Sequence, residues 1–427
     1  MTVFASIYGV VDGLFVSNYV GSVPFAAVNF VMPFTIVFAA TGFMLGAGGS
    51  ALVAYTLGQG SVKRANEIFS LLLYALIAIG LTFTTIGQLF LRPFVMWLGA
   101  SEEMLPHCLV YGRISIIALT PFMLQYVFQS FFVTAERPTL GLSVTIIAGI
   151  ANIVLDAVFI VVLRWGLAGA ALATALSQCV GGALPLLYFA LPNRSKLRLG
   201  KARFEIRPVV KACSNGFSEF MSCISMSIVA SLYNWQLMRM IGEKGVASFG
   251  VILYVTYVFI SIFLGYAMGS APVVAYHYGA RNSEELSGLL RKSLVITSVF
   301  AVAIVLISEI FALPASKIYV GYDKELLTQT VTSLRIYSLS FLFTGFNIFA
   351  SSFFTALNDG MTSATISLGR TLLFESLAVL ILPALVGSAG IWCAVIVGEL
   401  MALTLSFGFL FRFRKKYGYS WHVRKET

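Results

Sequence analysis

Four polar residues interrupt stretches of the chain that are otherwise apolar: Asp12, Asn152, Asp156 and Thr174. A carboxylate placed in hydrocarbon costs on the order of a few kcal/mol, so an acid in such a stretch points to function. Asp12 and Asp156 lie about eight and seven residues from the outer ends of their apolar stretches. At about 1.5 Å per residue, both then sit roughly 10–12 Å below the outer surface. Asn152 is one helical turn from Asp156 and on the same face. Thr174 enters from the other direction and reaches the same depth. Two neighbouring carboxylates increase each other's affinity for a proton. Such a group can load a proton and release it when its surroundings change. Four hard oxygen donors suit Na⁺ equally well. The plain alternative is that these groups hydrogen-bond across helices and hold a bundle together.

The second half of the chain has a different set. Glu219, Glu375 and Glu399 are its intramembrane acids, and Arg370 stands five residues before Glu375. Two readings are open: a structural pair between Arg370 and a glutamate, or a second cation or substrate site. Glu309 is expected at an outer helix end, solvated.

The elements that must hold these residues are helices in a bilayer. Of 427 residues, 59% are hydrophobic and 11% charged, against roughly a quarter charged in soluble domains. Apolar stretches of spanning length recur near 1–20, 25–56, 69–91, 106–133, 139–162, 166–191, 208–239, 246–278, 290–311, 327–356, 361–386 and 389–412. Segments such as Ser293–Phe311 are apolar all round, which excludes the alternating pattern of barrel strands. The fold class is therefore an all-α polytopic membrane protein of about twelve helices.

Lys and Arg set the orientation. Sorting the loops alternately gives nineteen basic residues on one side and six on the other. This places both termini in the cytoplasm of a multi-pass plasma (inner) membrane protein. The net charge of +10 thus marks orientation and does not suggest nucleic acid as a partner. The basic stretch Asn193–Lys211 reads as a cytoplasmic linker near anionic lipid.

The two halves repeat. Gly49-Ser50-Ala51 with Val53-Ala54-Tyr55 matches Gly269-Ser270-Ala271 with Val274-Ala275-Tyr276. Ser130-Phe131-Phe132 matches Ser352-Phe353-Phe354, Arg113 matches Arg335, and Gly166-x-Ala168-Gly169 matches Gly387-x-Ala389-Gly390. The offset stays between 220 and 222 throughout. The expected organisation is an N-terminal six-helix lobe (1–192, its first helix shortened), a linker (193–207), a C-terminal six-helix lobe (208–414) and a tail (415–427). Six helices per lobe make the repeats parallel, related by a pseudo-two-fold axis along the membrane normal.

Other residues carry less. Cys108, Cys179, Cys213, Cys223 and Cys393 are scattered, and His107, His277 and His422 lack ligand spacing. No nucleophile–base pair or metal cluster is evident, so neither an enzyme nor a cofactor is expected. Gly46-x-Gly48-Gly49 suits close helix packing. The abundant Phe and Met could line a pliable pocket or simply pack. Pro33, Pro121, Pro272 and Pro383 are candidates for helix bends.

Ile7-Tyr8-x-x-Val11-Asp12-Gly13-x-Phe15-Val16 resembles the first-helix motif of multidrug and toxic compound extrusion (MATE) transporters. Asn152-Ile153-x-Leu155-Asp156-x-x-Phe159-Ile160 and the stretch from Trp165 to Thr174 resemble that family's segment 5–6 signature. The resemblance covers essentially the whole chain. It implies secondary efflux of small amphipathic, often cationic, organic compounds in exchange for H⁺ or Na⁺, by a monomer embedded in membrane lipid. It also implies that Asp12, Asn152, Asp156 and Thr174 form the coupling-ion site of the N-terminal lobe, as in the prokaryotic branch. A subgroup uses an acid in segment 7, where Glu219 falls. Members usually carry further residues ahead of the first-helix motif, so an earlier start is expected for this chain. The alternative within the superfamily is a lipid-linked oligosaccharide flippase, which would want several cations lining its cavity.

Overall fold

The computed structural model describes residues 1–419 except 21, 98–101, 103 and 322. The tail residues from 420, with His422, lie outside that set, as does the side chain of Pro33. Among the described residues every regular element is helical, as the recurring apolar stretches require.

Two compact units pack separately, Met1–Gly216 and Phe217–Thr427. The first contains α1 (Thr2–Phe15), α2 (Ser22–Gly58), α3 (Val62–Trp97), α4 (Leu105–Ile117), α5 (Leu119–Thr134), α6 (Pro138–Asp156) and α7 (Gly166–Ala190). A long helix, α8 (Ile206–Met240), then carries the chain into the second unit. There α9 (Glu243–Gly279), α10 (Ser283–Val320), α11 (Lys324–Ser338), α12 (Phe341–Ala356), α13 (Gly360–Ser367), α14 (Ser376–Val386), α15 (Ser388–Arg412) and the short α16 (Arg414–Tyr417) follow. π-helical turns occupy Val16–Val20, Ala157–Val162 and Leu368–Glu375.

Each apolar stretch corresponds to one helix or to helices in direct succession. Eight of the described helices are long and apolar enough to cross a bilayer, and ten spans result if each bent pair counts once. α1 (14 residues) and α8 fall outside that measure. α8 does so because Arg207, Lys211, Glu219 and several serines dilute its hydropathy. Helices also outrun the apolar stretches: α3 begins at Val62 and α10 at Ser283, seven residues ahead of the expected starts at 69 and 290. Charged residues at a helix entrance sit comfortably in water, so hydropathy marks the bilayer core and not the helix end.

The repeat recurs in local conformation. α4 and α5 bend by 52°, and α11 and α12, one repeat later, by 46°. Pro121 stands near the first bend, but the second has Phe343 at the matching place, so proline does not cause it. Pro272 and Pro383 lie inside continuous helices. Left-handed backbone recurs in register, at Gly60 and Arg281, Glu136 and Asn358, and Gly166 and Gly387. Ser50 and Ser270 each donate a hydroxyl to the carbonyl three residues back.

The 193–207 linker is a strap fastened to the first unit. Arg198 N–H donates to Asn66, Gly200 N–H to Ser70, and Tyr74 donates to the Gly200 carbonyl. Leu197 is fully buried in the phenylalanine-rich core around Phe69, Phe128, Phe131 and Phe189. Arg64 and Glu205 pair at the strap's end. The packing boundary then falls within α8, because its first turns belong to the first unit. A Cβ on Gly48 would lie 2.0 Å from the Ala212 carbonyl oxygen, so only glycine permits α2 to come so close to α8. Many of the bulky phenylalanines pack in the core, Phe341, Phe349, Phe353 and Phe354 among them in the second unit.

Candidate functional site

The first unit assembles its polar group through one close approach. A Cβ on Gly149 would come within 2.5 Å of Phe4 and 2.9 Å of Tyr8, so this glycine lets α1 lie directly against α6. Both helices then run on in the same direction. One turn past Tyr8 comes Asp12, and one turn past Gly149 come Asn152 and then Asp156. Asp12 faces Asp156, Asn152 and Thr174. The Thr174 hydroxyl, from α7, donates to Asp12 Oδ1 at 3.3 Å. Thus all four residues read from the sequence meet at one place.

Asp156 and Asn152 are left without hydrogen-bond partners among the described residues. Asp156 is 0% exposed and Asn152 1%. Neither Asp156 carboxylate oxygen has a hydrogen-bond donor among the described residues, and the Asn152 amide makes no hydrogen bond either. Two facing carboxylates can share a hydrogen bond only if one carries a proton, and a buried charge without a partner is costly. The arrangement therefore calls for a cation or a proton between the acids. Asp156 is also the last residue before the π-helical turn Ala157–Val162. Such turns widen a helix locally and occur frequently at functional sites.

Two neighbours were not singled out in the sequence. Tyr111 of α4 is 4% exposed and close enough to both aspartates to feel their charge. Gln125 of α5 donates to the Tyr8 hydroxyl at 3.3 Å, while its own carbonyl oxygen is buried without a donor. A tyrosine or amide in an apolar helix reads as packing, and nothing in their spacing marks them out.

The second unit holds its acids differently. Arg370 Nε donates to Glu399 Oε1 at 2.8 Å. Asn347 Nδ2 donates to Glu399 Oε2 at 2.7 Å, and the Ser406 hydroxyl to Asn347 Oδ1 at 2.8 Å. Glu399 is thus satisfied at both oxygens. Glu375 lies at the end of the π-helical turn that carries Arg370, near Glu399 and beside the buried Tyr233 ring. A Cβ on Gly398 would come within 2.9 Å of the Glu375 backbone, which draws α15 and that turn together. Glu219 lies within the field of the same guanidinium. Asn347 and Tyr233 were not anticipated.

Glu309 is not a lone solvated acid. It accepts from the Ser338 hydroxyl at 3.1 Å and pairs with Arg335 at 3.4 Å. Of the three basic residues within the apolar stretches, Arg335 and Arg370 are each matched by an acid, and Arg113, which is exposed, has no acidic partner among the described residues. That leaves little of the cationic lining an oligosaccharide flippase would want. Among the described residues no three His, Cys, Asp or Glu side chains converge as a metal shell.

A membrane-spanning, all-helical chain of two repeated units, with acids drawn together inside each, has the build of a transporter. The sequence profile of MatE matches residues 1–158 and 220–380, and the chain belongs to this multidrug and toxic compound extrusion family. The multidrug export protein MepA of Staphylococcus haemolyticus is 25% identical over 347 residues, 79% of this chain and 76% of its own length. MepA of Staphylococcus aureus is 23% identical over 356 residues, 81% and 77% of the two chains. Among solved structures, a MATE protein in complex with MaL6 superposes with a TM-score of 0.93 at 22% identity, covering 98% of this chain and 94% of the other. An outward-facing multidrug resistance MATE transporter of the MOP superfamily gives 0.92 at 23% identity with the same coverage.

Proposed function

We propose that this protein exports small amphipathic, often cationic, organic compounds in exchange for H⁺ or Na⁺, working as a monomer in the lipid bilayer. The observation that carries the proposal is the pair of facing acids Asp12 and Asp156, with Asn152 and Thr174 beside them and no donor for Asp156. With both acids ionised, the site attracts a cationic compound. A proton, or a Na⁺ held by carboxylate, amide and hydroxyl oxygens, removes that attraction. Coupling follows from competition: a ligand biases a conformational equilibrium only through its different affinities for the two states. One charge in a partly dry site is worth a few kcal/mol, roughly a hundredfold in affinity. The multidrug export named for the MepA relatives fits this substrate class.

Equilibrium binding of ethidium to the purified protein tests the proposal. Affinity is expected to weaken as pH falls or as Na⁺ rises. Affinity that stays flat in both titrations rules out direct competition. The apparent pKa that emerges belongs to the pair and not to either aspartate.

The basic side of the molecule is proposed to face the cytoplasm, with both termini there. Phe204, in the strap, is 89% exposed and makes a suitable reporter. In a background without native cysteines, Phe204→Cys should resist an impermeant thiol reagent added to intact cells and react after lysis. Ready labelling in intact cells reverses the orientation.

A further inference from the structure

The second unit carries an open groove that plays no part in the exchange described above. Its volume is about 660 Å³, within the range of about 300–1,000 Å³ that small-ligand sites occupy. Phe374 forms one wall, and Met401, Leu405, Gly408 and Phe409 of α15 form the other. The one hydroxyl on this surface, that of Thr404, is already spent on the Met401 carbonyl. A Cβ on Gly408 would meet nothing within 4 Å, so the groove is open at this position. Arg412 stands at one end.

That end is strongly basic. Arg412 is exposed and has no acidic partner among the described residues. Arg414 stacks 4.2 Å over the Phe411 ring, and Lys415 follows it in sequence. Lys416 alone is matched by an acid, Asp359. The groove thus runs from exposed apolar side chains to cations with no acidic partner among the described residues. Its ligand must have the same polarity, an apolar chain with an anionic head.

We propose that this groove binds one anionic phospholipid, with an acyl chain along Gly408 between Phe374 and Leu405 and its phosphate on Arg412. Basic clusters at the end of a membrane helix attract anionic headgroups, and an arginine there can follow the headgroup while its stem stays on apolar surface. The cationic compounds proposed for export do not suit the site, because Arg412 repels them. The walls that receive the chain are the elements that hold the Arg370–Glu399 pair: Arg370 is one turn before Phe374, and Glu399 is two residues before Met401.

Native mass spectrometry of the full chain in detergent tests this directly, using phosphatidylglycerol and phosphatidylcholine with identical acyl chains. The wild type should carry a single phosphatidylglycerol adduct, several-fold more populated than the phosphatidylcholine adduct. Gly408→Phe fills the groove and should remove that adduct, with thermal midpoint and monodispersity confirming a folded protein. Arg412→Gln, on the exposed end, should bring phosphatidylglycerol binding down to the phosphatidylcholine level and leave total lipid binding in place. Equal binding of the two lipids to the wild type overturns the proposal, because it describes a non-selective annulus. Wild-type phosphatidylglycerol retention by folded Gly408→Phe, or by Arg412→Gln, overturns it as well.

Discussion

The two units share a scaffold and differ in how they neutralise their acids. In the first unit Asp12 and Asp156 face one another, no basic side chain among the described residues pairs with either, and Asp156 has no donor. In the second, Glu399 is held by Arg370, Asn347 and, through Asn347, Ser406. The repeat shows what changed. About 221 residues on from Asp12 stands Tyr233, and from Asp156, Leu377, whereas buried Gln125 keeps an amide counterpart in Asn347. In one unit the facing acids have no counter-ion among the described residues. The other has built its cation into the chain. An acid with an internal counter-ion can be structural, whereas one without must be loaded to be stable.

The largest effect expected from this contrast is on coupling. Asp156→Asn and Asp12→Asn each remove a charge that substrate and ion are proposed to compete for. Each should abolish pH- or Na⁺-driven ethidium efflux, with protein still reaching the membrane in normal amount. Wild-type efflux in both variants would transfer coupling to the second unit, around Glu219 and Glu375.

The next effect is on stability, and it separates the units further. Arg370→Met strands a largely buried Glu399, and breaking such a pair from one side costs about 3–5 kcal/mol. Replacing both, Arg370→Met with Glu399→Met, removes the stranded charge and should cost clearly less. Thermal or denaturant unfolding of the detergent-solubilised protein measures both. A double variant as unstable as the single one would show that the pair does more than neutralise itself. Wild-type stability of Arg370→Met would show that Glu399 finds a proton or ion as readily as the aspartates are proposed to.

Much of this contrast was legible in the sequence, for physical reasons. Acids stand out in apolar helices, and a constant offset exposes the repeat, so Asp12, Asn152, Asp156 and Thr174 could be placed at one depth from helix rise alone. Arg370 and Glu399 could be suspected of pairing, but not assigned, because Glu375 is nearer in sequence. Depth also does not show which face a residue turns to its neighbours. Gly149, which brings α1 onto α6, reads as any small residue in a membrane helix. Tyr111, Gln125, Tyr233 and Asn347 are hidden because a single uncharged polar group in a helix has many structural uses. The strap was hidden for the opposite reason. Its basic composition suggests solvent, and Leu197, its anchor, is a single residue among charges.

The smallest effect lies at the basic ends of the two units, where each fastens a segment with one acid. In the first, Glu205 takes the Arg64 guanidinium, which holds its carboxyl below the usual range. Both partners are well exposed, and such pairs contribute little. In the second, Asp359 caps α13 by accepting from the Thr362 amide at 3.2 Å, takes the Tyr417 hydroxyl, and pairs with Lys416 at 3.4 Å. Partial burial pushes the Asp359 carboxyl up, but the Tyr417 and Thr362 hydrogen bonds and the Lys416 charge outweigh it, so the group ends below its ordinary value. A depressed carboxylate stabilises the fold above its unfolded pKa of about 3.9. That contribution disappears as pH falls through the lower, folded value. Asp359→Ala loses a helix cap as well as an ion pair, and should cost about 1–2 kcal/mol at neutral pH. Glu205→Ala should cost less. Below about pH 4 the Asp359 penalty should shrink toward that of a missing cap alone. An Asp359→Ala cost equal to that of Glu205→Ala, or one that does not change with pH, would show that the Tyr417 and Lys416 contacts add nothing, and that the two ends are fastened equally weakly.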